Sequence, residues 1–174
     1  MNHFIYRCTS CSKEYRRDEV RYLCPVCAID YRPGMPLRGV LTAEFDYDYI
    51  RKRFSRKNPD FTLFSAVEKV YFPAYPVGNT PLIRNSSLSA LLKAEEVLIK
   101  YDGLNPSGSL KDRASFLMVA ESVRLKEERI VCASTGNAAS ALAAVCANSG
   151  KKAVIFVPKT APKAKLVQIV LYGA

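Results

Sequence analysis

Asn105-Pro106-Ser107-Gly108-Ser109-Leu110-Lys111-Asp112-Arg113 decides how this chain reads. Before it runs Val97-Leu98-Ile99-Lys100-Tyr101, apolar enough for a strand, and after it Ala114 to Val123 has the spacing of a buried-face helix. The Asn-Pro and Ser-Gly pairs between them build a turn. Lys111 is thereby held at the mouth of a helix, where the positive end of the helix dipole and nearby Arg113 both disfavour a second cation. A lysine there has reason to give up its proton, and a neutral amine is what forms a Schiff base. Alone, the residue would read as a solvated lysine in a first helical turn; the company it keeps changes that.

Outward from this loop, strands and helices alternate. From Gly78 on, the pattern predicts a short strand at 81–84 and a helix at 86–93 capped by Ser86 or Ser87. Strand 97–101, helix 112–128, strand 130–133, helix 137–148, strand 153–157 and helix 162–171 follow. Such alternation predicts an α/β fold, a mainly parallel sheet with flanking helices. Val154-Ile155-Phe156-Val157 is apolar on both faces, as a central parallel strand should be. A second loop, Ser134-Thr135-Gly136-Asn137, stands between Ile130-Val131-Cys132-Ala133 and the small-residue helix Ala138 to Ala147. Hydroxyls, an amide and free N–H groups at a helix start make an anion site. Ligands of open α/β sheets bind beyond the carboxyl ends of strands, and the lysine loop also follows a strand, so the two loops can share one cleft. The plainer reading of Ser-Thr-Gly-Asn is a capped helix start, and small residues also let a helix pack closely on a sheet.

Toward the amino terminus, Cys8-x-x-Cys11 and Cys24-x-x-Cys27 form two knuckles. Tetrahedral zinc takes four soft ligands, and two CxxC pairs supply four thiolates, so residues 1–45 read as a zinc-ribbon-like module with Cys8, Cys11, Cys24 and Cys27 as ligands. Glu14-Tyr15 and Arg21-Tyr22-Leu23 read as short strands. Ser12 and Ala28 follow the knuckles, where glycine is often used for its positive φ; the alternative is a pair of knuckles that no longer holds metal. With few apolar residues, the unit needs its metal to fold. Residues 46–78 read as a helical and linker segment: a helix start at 47–54, a turn at 58–60, a short helix at 61–70, then Pro73 and Pro76. Residues 79–174 hold the alternating pattern.

The totals agree with a globular protein of one medium domain or two small ones: 174 residues, 49% hydrophobic and 24% charged. No apolar run nears the roughly 20 residues of a membrane span. Met1-Asn2-His3-Phe4 lacks the basic and apolar regions of a secretory signal, so the expected location is cytoplasmic. Paired thiols there point to metal more than to disulfides. With one histidine, His3, no histidine general base away from the amino terminus is available, which favours lysine chemistry or a cofactor. The net charge of +10 admits a nucleic-acid patch, a surface that attracts phosphorylated small molecules, or simply a basic surface. The cations are scattered and lack aromatic interleaving, which makes nucleic acid the weaker reading.

Three stretches together carry a resemblance: Gly78-Asn79-Thr80-Pro81-Leu82, the lysine loop at 105–113, and Ala133-Ser134-Thr135-Gly136-Asn137. In order and spacing they resemble pyridoxal-phosphate enzymes of fold type II, above all the threonine synthases, several of which also carry paired CxxC knuckles. The resemblance implies pyridoxal 5'-phosphate bound as a Schiff base to Lys111, which would also shuttle protons. It implies Asn137 on the cofactor's 3′-oxygen and Ser134 and Thr135 on the substrate carboxylate. The implied reaction turns O-phosphohomoserine and water into threonine and phosphate; the partner is a phosphorylated amino acid, with no nucleic acid or membrane and with a homodimer in the full-length form. Cysteate synthase, threonine dehydratase and cysteine synthase are alternatives within the fold; a zinc-ribbon module binding nucleic acid or protein is the alternative outside it. Leu110 stands where the family often has an aromatic residue. The family's proteins are much longer, and their cofactor-phosphate loop and pyridine-nitrogen residue lie downstream. The chain is therefore expected to hold the small domain and part of the large one, and to show little activity alone.

Overall fold

The computed structural model describes residues 3–174 and forms two compact units, Met1–Glu68 and Lys69–Ala174. Met1 and Asn2, part of the stretch read for a signal, lie outside the described residues. The boundary falls inside the stretch 46–78 expected as a transition.

In the first unit, β1 (Phe4–Cys8) pairs antiparallel with β2 (Glu14–Tyr15) on one side and β3 (Leu41–Phe45) on the other. Arg7 on the central strand reaches both neighbours, Glu14 at 2.8 Å and Glu44 at 2.7 Å. The core beneath is small: Cys8, Tyr15 and Cys24 are buried, with Tyr6, Val20, Cys27 and Leu41 packed against them. Three of those seven side chains are cysteines, and the unit's other buried apolar side chains are Phe4, Ile50 and Val67. Helix α1 (Tyr47–Arg53) starts at Asp46, whose carboxylate accepts from the Tyr49 N–H at 2.8 Å, and buries Ile50. The strand expected at 21–23 is reduced to a single bridge between Leu23 and Val40. The helix expected at 61–70 is instead two 3-10 turns, Phe61–Phe64 and Lys69–Tyr71. Between them the Ser65 hydroxyl donates to the Val67 carbonyl and accepts from its N–H, a local alternative to helical bonding.

In the second unit, β4 (Leu82–Arg84) and β5 (Leu98–Lys100) form an antiparallel pair joined through α2 (Ser86–Leu92). Then come α3 (Asp112–Arg124), β6 (Arg129–Ala133), α4 (Asn137–Asn148), β7 (Lys152–Phe156) and α5 (Lys163–Leu171). β6 and β7 are parallel, from Arg129 opposite Lys152 to Ala133 opposite Phe156. The fold is thus mixed α/β, and the expectation of a mainly parallel sheet is corrected: among the described residues of this unit there is one parallel pair and a separate antiparallel one. The strand feeding the lysine loop pairs with β4 and not with β6, because an apolar run does not encode its partner's direction. Bonds from the Tyr101 N–H to the Pro81 carbonyl and from the Asn85 N–H to the Val97 carbonyl, each 3.0 Å, extend that antiparallel ladder. Phe156 and Val157 are exposed, so β7 is an edge among the described residues and not a central strand.

Helix α4 is the centre of this unit. Ala139 to Cys146 are all buried, and α4 packs on β6 and β7, on α3 and on α5. Its apolar surface on all sides is what a buried helix needs. Leu142, Val145 and Cys146 join Val119, Ile130 and Ala153 in one cluster; Ala139 and Ala143 meet Ile169 in another.

All four helices of this unit end in the same paired bonds, with a left-handed residue at the turn. At α4 and α5 that residue is Gly150 or Gly173; at α2 and α3 it is Lys93 (φ 52°) or Lys126 (φ 58°). This is why α3 stops at Arg124 and not at the expected 128: the Glu127 N–H turns back to Ser122 and the Lys126 N–H to Val123. A side chain in that conformation costs about 1–2 kcal/mol. Lys126→Gly is therefore expected to stabilise the chain by roughly 0.5–1 kcal/mol, read as a raised denaturation midpoint; an unchanged or lowered midpoint would contradict it. The start of α2 also differs from expectation, since Asn85 caps it through the Leu88 N–H at 2.9 Å.

Candidate functional site

Lys111 sits at the first turn of α3, exposed, and its side chain has no hydrogen-bond or ion-pair partner among the described residues. The loop under it is held firmly. Asn105, Ser107, Ser109 and Asp112 are buried. The Asp112 carboxylate accepts from the Ser107 N–H at 2.8 Å, and the Ser109 hydroxyl accepts from the Lys111 N–H at 3.1 Å. Gln168 of α5 donates to the Ser107 carbonyl at 3.4 Å. The Ser107 hydroxyl and the second Asp112 oxygen are buried without a hydrogen-bond partner among the described residues.

A network then ties this loop to Gly78–Leu82. The Asp102 carboxylate accepts from Arg113 Nε at 2.8 Å and from its terminal nitrogen at 2.9 Å, a two-pronged pair. It also accepts from the Thr80 hydroxyl at 2.6 Å. The Asn105 side chain accepts from the Gly78 N–H at 2.9 Å and donates to the Asp102 carbonyl at 2.8 Å. Lys100 Nζ donates to the Thr80 carbonyl. Gly78 is required here: its φ is +84°, and a Cβ would stand 3.1 Å from an Arg113 nitrogen. Arg113 and then Thr80 hold the Asp102 carboxyl well below the usual carboxylate range, and Asp102 raises Arg113 in turn. A depressed pKa means the network's contribution is complete above the ordinary carboxylate value and is lost only as pH falls below it. Burial, with the Asp112 charge, pushes the nearby Tyr75 hydroxyl up to about 12.

The second loop follows β6. The Ser134 hydroxyl accepts from the Gly136 N–H at 3.2 Å, and the Ser134 N–H donates to the Phe156 carbonyl at 3.2 Å. Ser134 and Thr135 are half-buried and Asn137 is exposed. No side chain caps α4, so the expected capped start is not formed by a side chain. The loop lies at the carboxyl ends of the parallel pair, whereas a shallow depression lined by Glu128, Arg129 and Ser149 to Lys152 lies at the opposite end. The structure thus places Lys111 at the start of α3 and Asn137 at the start of α4, on helices that pack together.

The four cysteines of the knuckles come together. The Sγ atoms of Cys8, Cys11, Cys24 and Cys27 all lie within 4.8 Å of one another, with Cys11 and Cys24 at 3.9 Å. Zn–S bonds of about 2.3 Å would set tetrahedral sulfurs roughly 3.8 Å apart. The knuckles match: the Ser12 N–H bonds the Cys8 carbonyl at 2.9 Å and the Ala28 N–H the Cys24 carbonyl at 3.0 Å. Ser12 takes φ 61° where a glycine was the expected solution, while Gly39 closes over the second knuckle, its would-be Cβ 3.2 Å from both Cys24 and Cys27. Tyr15 places its hydroxyl 3.0 Å from the Cys24 sulfur. That bond lowers Cys24 to about 6 and drives Tyr15 above its ordinary range; the bond to Cys11, with burial, drives Cys27 up to about 12.

Reading the sequence missed Asp102, Tyr15 and Gln168, and gave no role to Thr80 or Asn105. Asp102 and Tyr15 carry no local signal, because their partners lie in separate segments.

Comparison with known proteins adds the following. The sequence pattern of the family described as "Pyridoxal-phosphate dependent enzyme" matches residues 74–174. A threonine synthase from Methanocaldococcus jannaschii is 33% identical over 98% of this chain and 42% of its own length. One from Methanosarcina acetivorans is 29% identical over 97% of this chain and 40% of its own. Both alignments therefore include the cysteine knuckles, and the chain spans about two fifths of the length of these relatives. Among solved structures, an aspartate racemase dependent on pyridoxal 5'-phosphate superposes with a TM-score of 0.51 at 29% identity, covering 55% of this chain and 31% of that one. Maize serine racemase superposes with a TM-score of 0.51 at 28% identity, covering 56% of this chain and 30% of that one.

Proposed function

As this chain belongs to the pyridoxal-phosphate-dependent enzymes, we propose that it forms the lysine-bearing part of a threonine synthase. The similarity of nearly the whole chain to threonine synthases carries the reading. The donor set suits the cofactor: an exposed, unpartnered amine on a tightly bonded loop, and two hydroxyls beside a helix start that no side chain caps. When bound, pyridoxal phosphate supplies an electron sink for deprotonation next to the substrate's amino group. Lys111 would hold the cofactor covalently and move protons at the substrate's Cα and Cβ. Asn137 would donate to the cofactor's 3′-oxygen, and Ser134 and Thr135 would hold the substrate carboxylate. In the balanced reaction, O-phosphohomoserine and water give threonine and phosphate.

The test is product formation with cofactor added, by the protein as its cell makes it, offered O-phosphohomoserine, O-phosphoserine and threonine in turn. Threonine and phosphate in equal amounts from O-phosphohomoserine support the reading. Turnover of O-phosphoserine or threonine alone moves it to cysteate synthase or a dehydratase, and no turnover of any of them overturns it. The 174 residues by themselves are expected to show little activity, since they span about two fifths of the relatives' length; turnover by that chain at about 1–10³ s⁻¹ would contradict this.

We also propose that Cys8, Cys11, Cys24 and Cys27 hold a structural zinc, with Tyr15 donating to the Cys24 thiolate. Tyr15→Phe should weaken Co(II) binding, followed by its thiolate charge-transfer bands, by about tenfold or more. Equal affinity in the variant would remove Tyr15 from the site without removing the site.

A further inference from the structure

We propose that Asp102 is a positioning residue for Lys111: bound by Arg113 and Thr80, it fixes the start of α3 against Gly78–Leu82. This rests on the reading of Lys111 as the cofactor lysine. Arg113 follows Lys111 by two residues, in the first turn of the same helix. Whatever holds the Arg113 guanidinium therefore sets where that turn, and the lysine on it, stands. Asp102 is where the holding bonds converge. One carboxylate oxygen takes Thr80 at 2.6 Å and Arg113 at 2.9 Å, the other takes Arg113 at 2.8 Å, and the main-chain carbonyl takes Asn105 at 2.8 Å. Asn105 in turn receives the Gly78 N–H at 2.9 Å, so the loop's two ends are tied to one segment through separate bonds.

The Asp102 side chain is 22% exposed and that of Arg113 44%. Water screens a pair this open, while its two-pronged geometry and the Thr80 bond keep it a contributor to folding. Its geometry matters more, since misplacing a reacting group by about 1 Å can cost roughly 10²-fold in rate. Gly78 supports the same role, because at its φ of +84° a side chain would be strained and its Cβ would crowd the Arg113 guanidinium at 3.1 Å. This gives a physical reason for the Gly78-Asn79-Thr80 segment: its glycine admits the guanidinium, and its threonine completes the carboxylate's bonding.

The test uses the protein as its cell makes it, pyridoxal phosphate and borohydride, with the fixed label located by peptide mapping. In the unaltered chain Lys111 should be labelled faster than exposed Lys57. Asp102→Asn should lower labelling at Lys111 by about tenfold or more while Lys57 and the far-ultraviolet circular dichroism stay unchanged. Asp102→Glu should recover part of the loss. If Asp102→Asn fails to fold, Arg113→Lys removes the two-pronged grip while keeping the charge, and the same selective loss is expected. Undiminished Lys111 labelling in the folded variant overturns the inference alone. No preference for Lys111 in the unaltered chain overturns the cofactor-lysine reading, and this inference with it.

Discussion

Stripping metal from the chain with a strong chelator should unfold Met1–Glu68 and leave Lys69–Ala174 folded. The cluster under the first unit's sheet has three cysteines among seven side chains, with Phe4, Ile50 and Val67 as the unit's other buried apolar residues, and its sheet strands are five, two and five residues long. Structural zinc sites of this kind supply about 10–16 kcal/mol of apparent binding energy, which is folding energy when the unfolded chain has no site. That matches or exceeds the roughly 5–15 kcal/mol that holds whole domains together, so loss of the proposed zinc is expected to unfold a unit this small. The second unit has its own core around Leu142, Val145 and Val119, all nearly or fully buried, and contains none of the four knuckle cysteines. Amide hydrogen exchange, read peptide by peptide, checks this: protection of β1 and β3 should collapse on chelation while that of α4 and β7 persists. Acid should act in the same direction, because thiolates that take up protons release the metal. Unchanged protection of β1 after complete metal removal would mean the cysteine cluster holds the fold without an ion.

Replacing Lys111 is expected to have the largest effect on chemistry. In the protein as its cell makes it, Lys111→Ala should lower kcat by about 10³-fold, the middle of the range one proton-transferring group contributes. The loss should fall on kcat more than on KM, since the proposed role of the lysine is at the reacting atoms and that of Ser134 and Thr135 is at the substrate carboxylate. The fold should survive, because the Lys111 side chain is exposed and makes no hydrogen bond among the described residues. Turnover by Lys111→Ala within about tenfold of the unaltered protein would assign the chemistry to another residue.

Much of this was legible because it is local. The lysine loop, the Ser-Thr-Gly-Asn loop and the helix 137–148 declare themselves through turn residues, small residues and apolar spacing, each within one stretch. The ends of α4 and α5 were legible for the same reason, with Gly150 and Gly173 as their stops. The end of α3 was not, because Lys126 takes the left-handed turn that a glycine would have announced. Strand pairing was hidden more deeply. Leu98-Ile99-Lys100 shows a strand, but nothing in it says that Leu82–Arg84 lies alongside in the opposite direction. The supporting residues were hidden in the same way. Asp102 meets Thr80 and Arg113 across 22 and 11 positions, and Tyr15 meets Cys24 across nine. Only folding brings such pairs together, whereas a CxxC knuckle carries its meaning in its own spacing.

The central claim is that Lys111 is the lysine that carries the cofactor, and one measurement bears on it most directly. The protein as its cell makes it is incubated with pyridoxal phosphate, reduced with borohydride, and digested so that each labelled lysine is identified and counted. The account predicts one label per chain, on Lys111, at cofactor concentrations where Lys57, Lys126 and the other exposed lysines stay largely unmodified. Label spread over the surface lysines with no preference for Lys111 would contradict it.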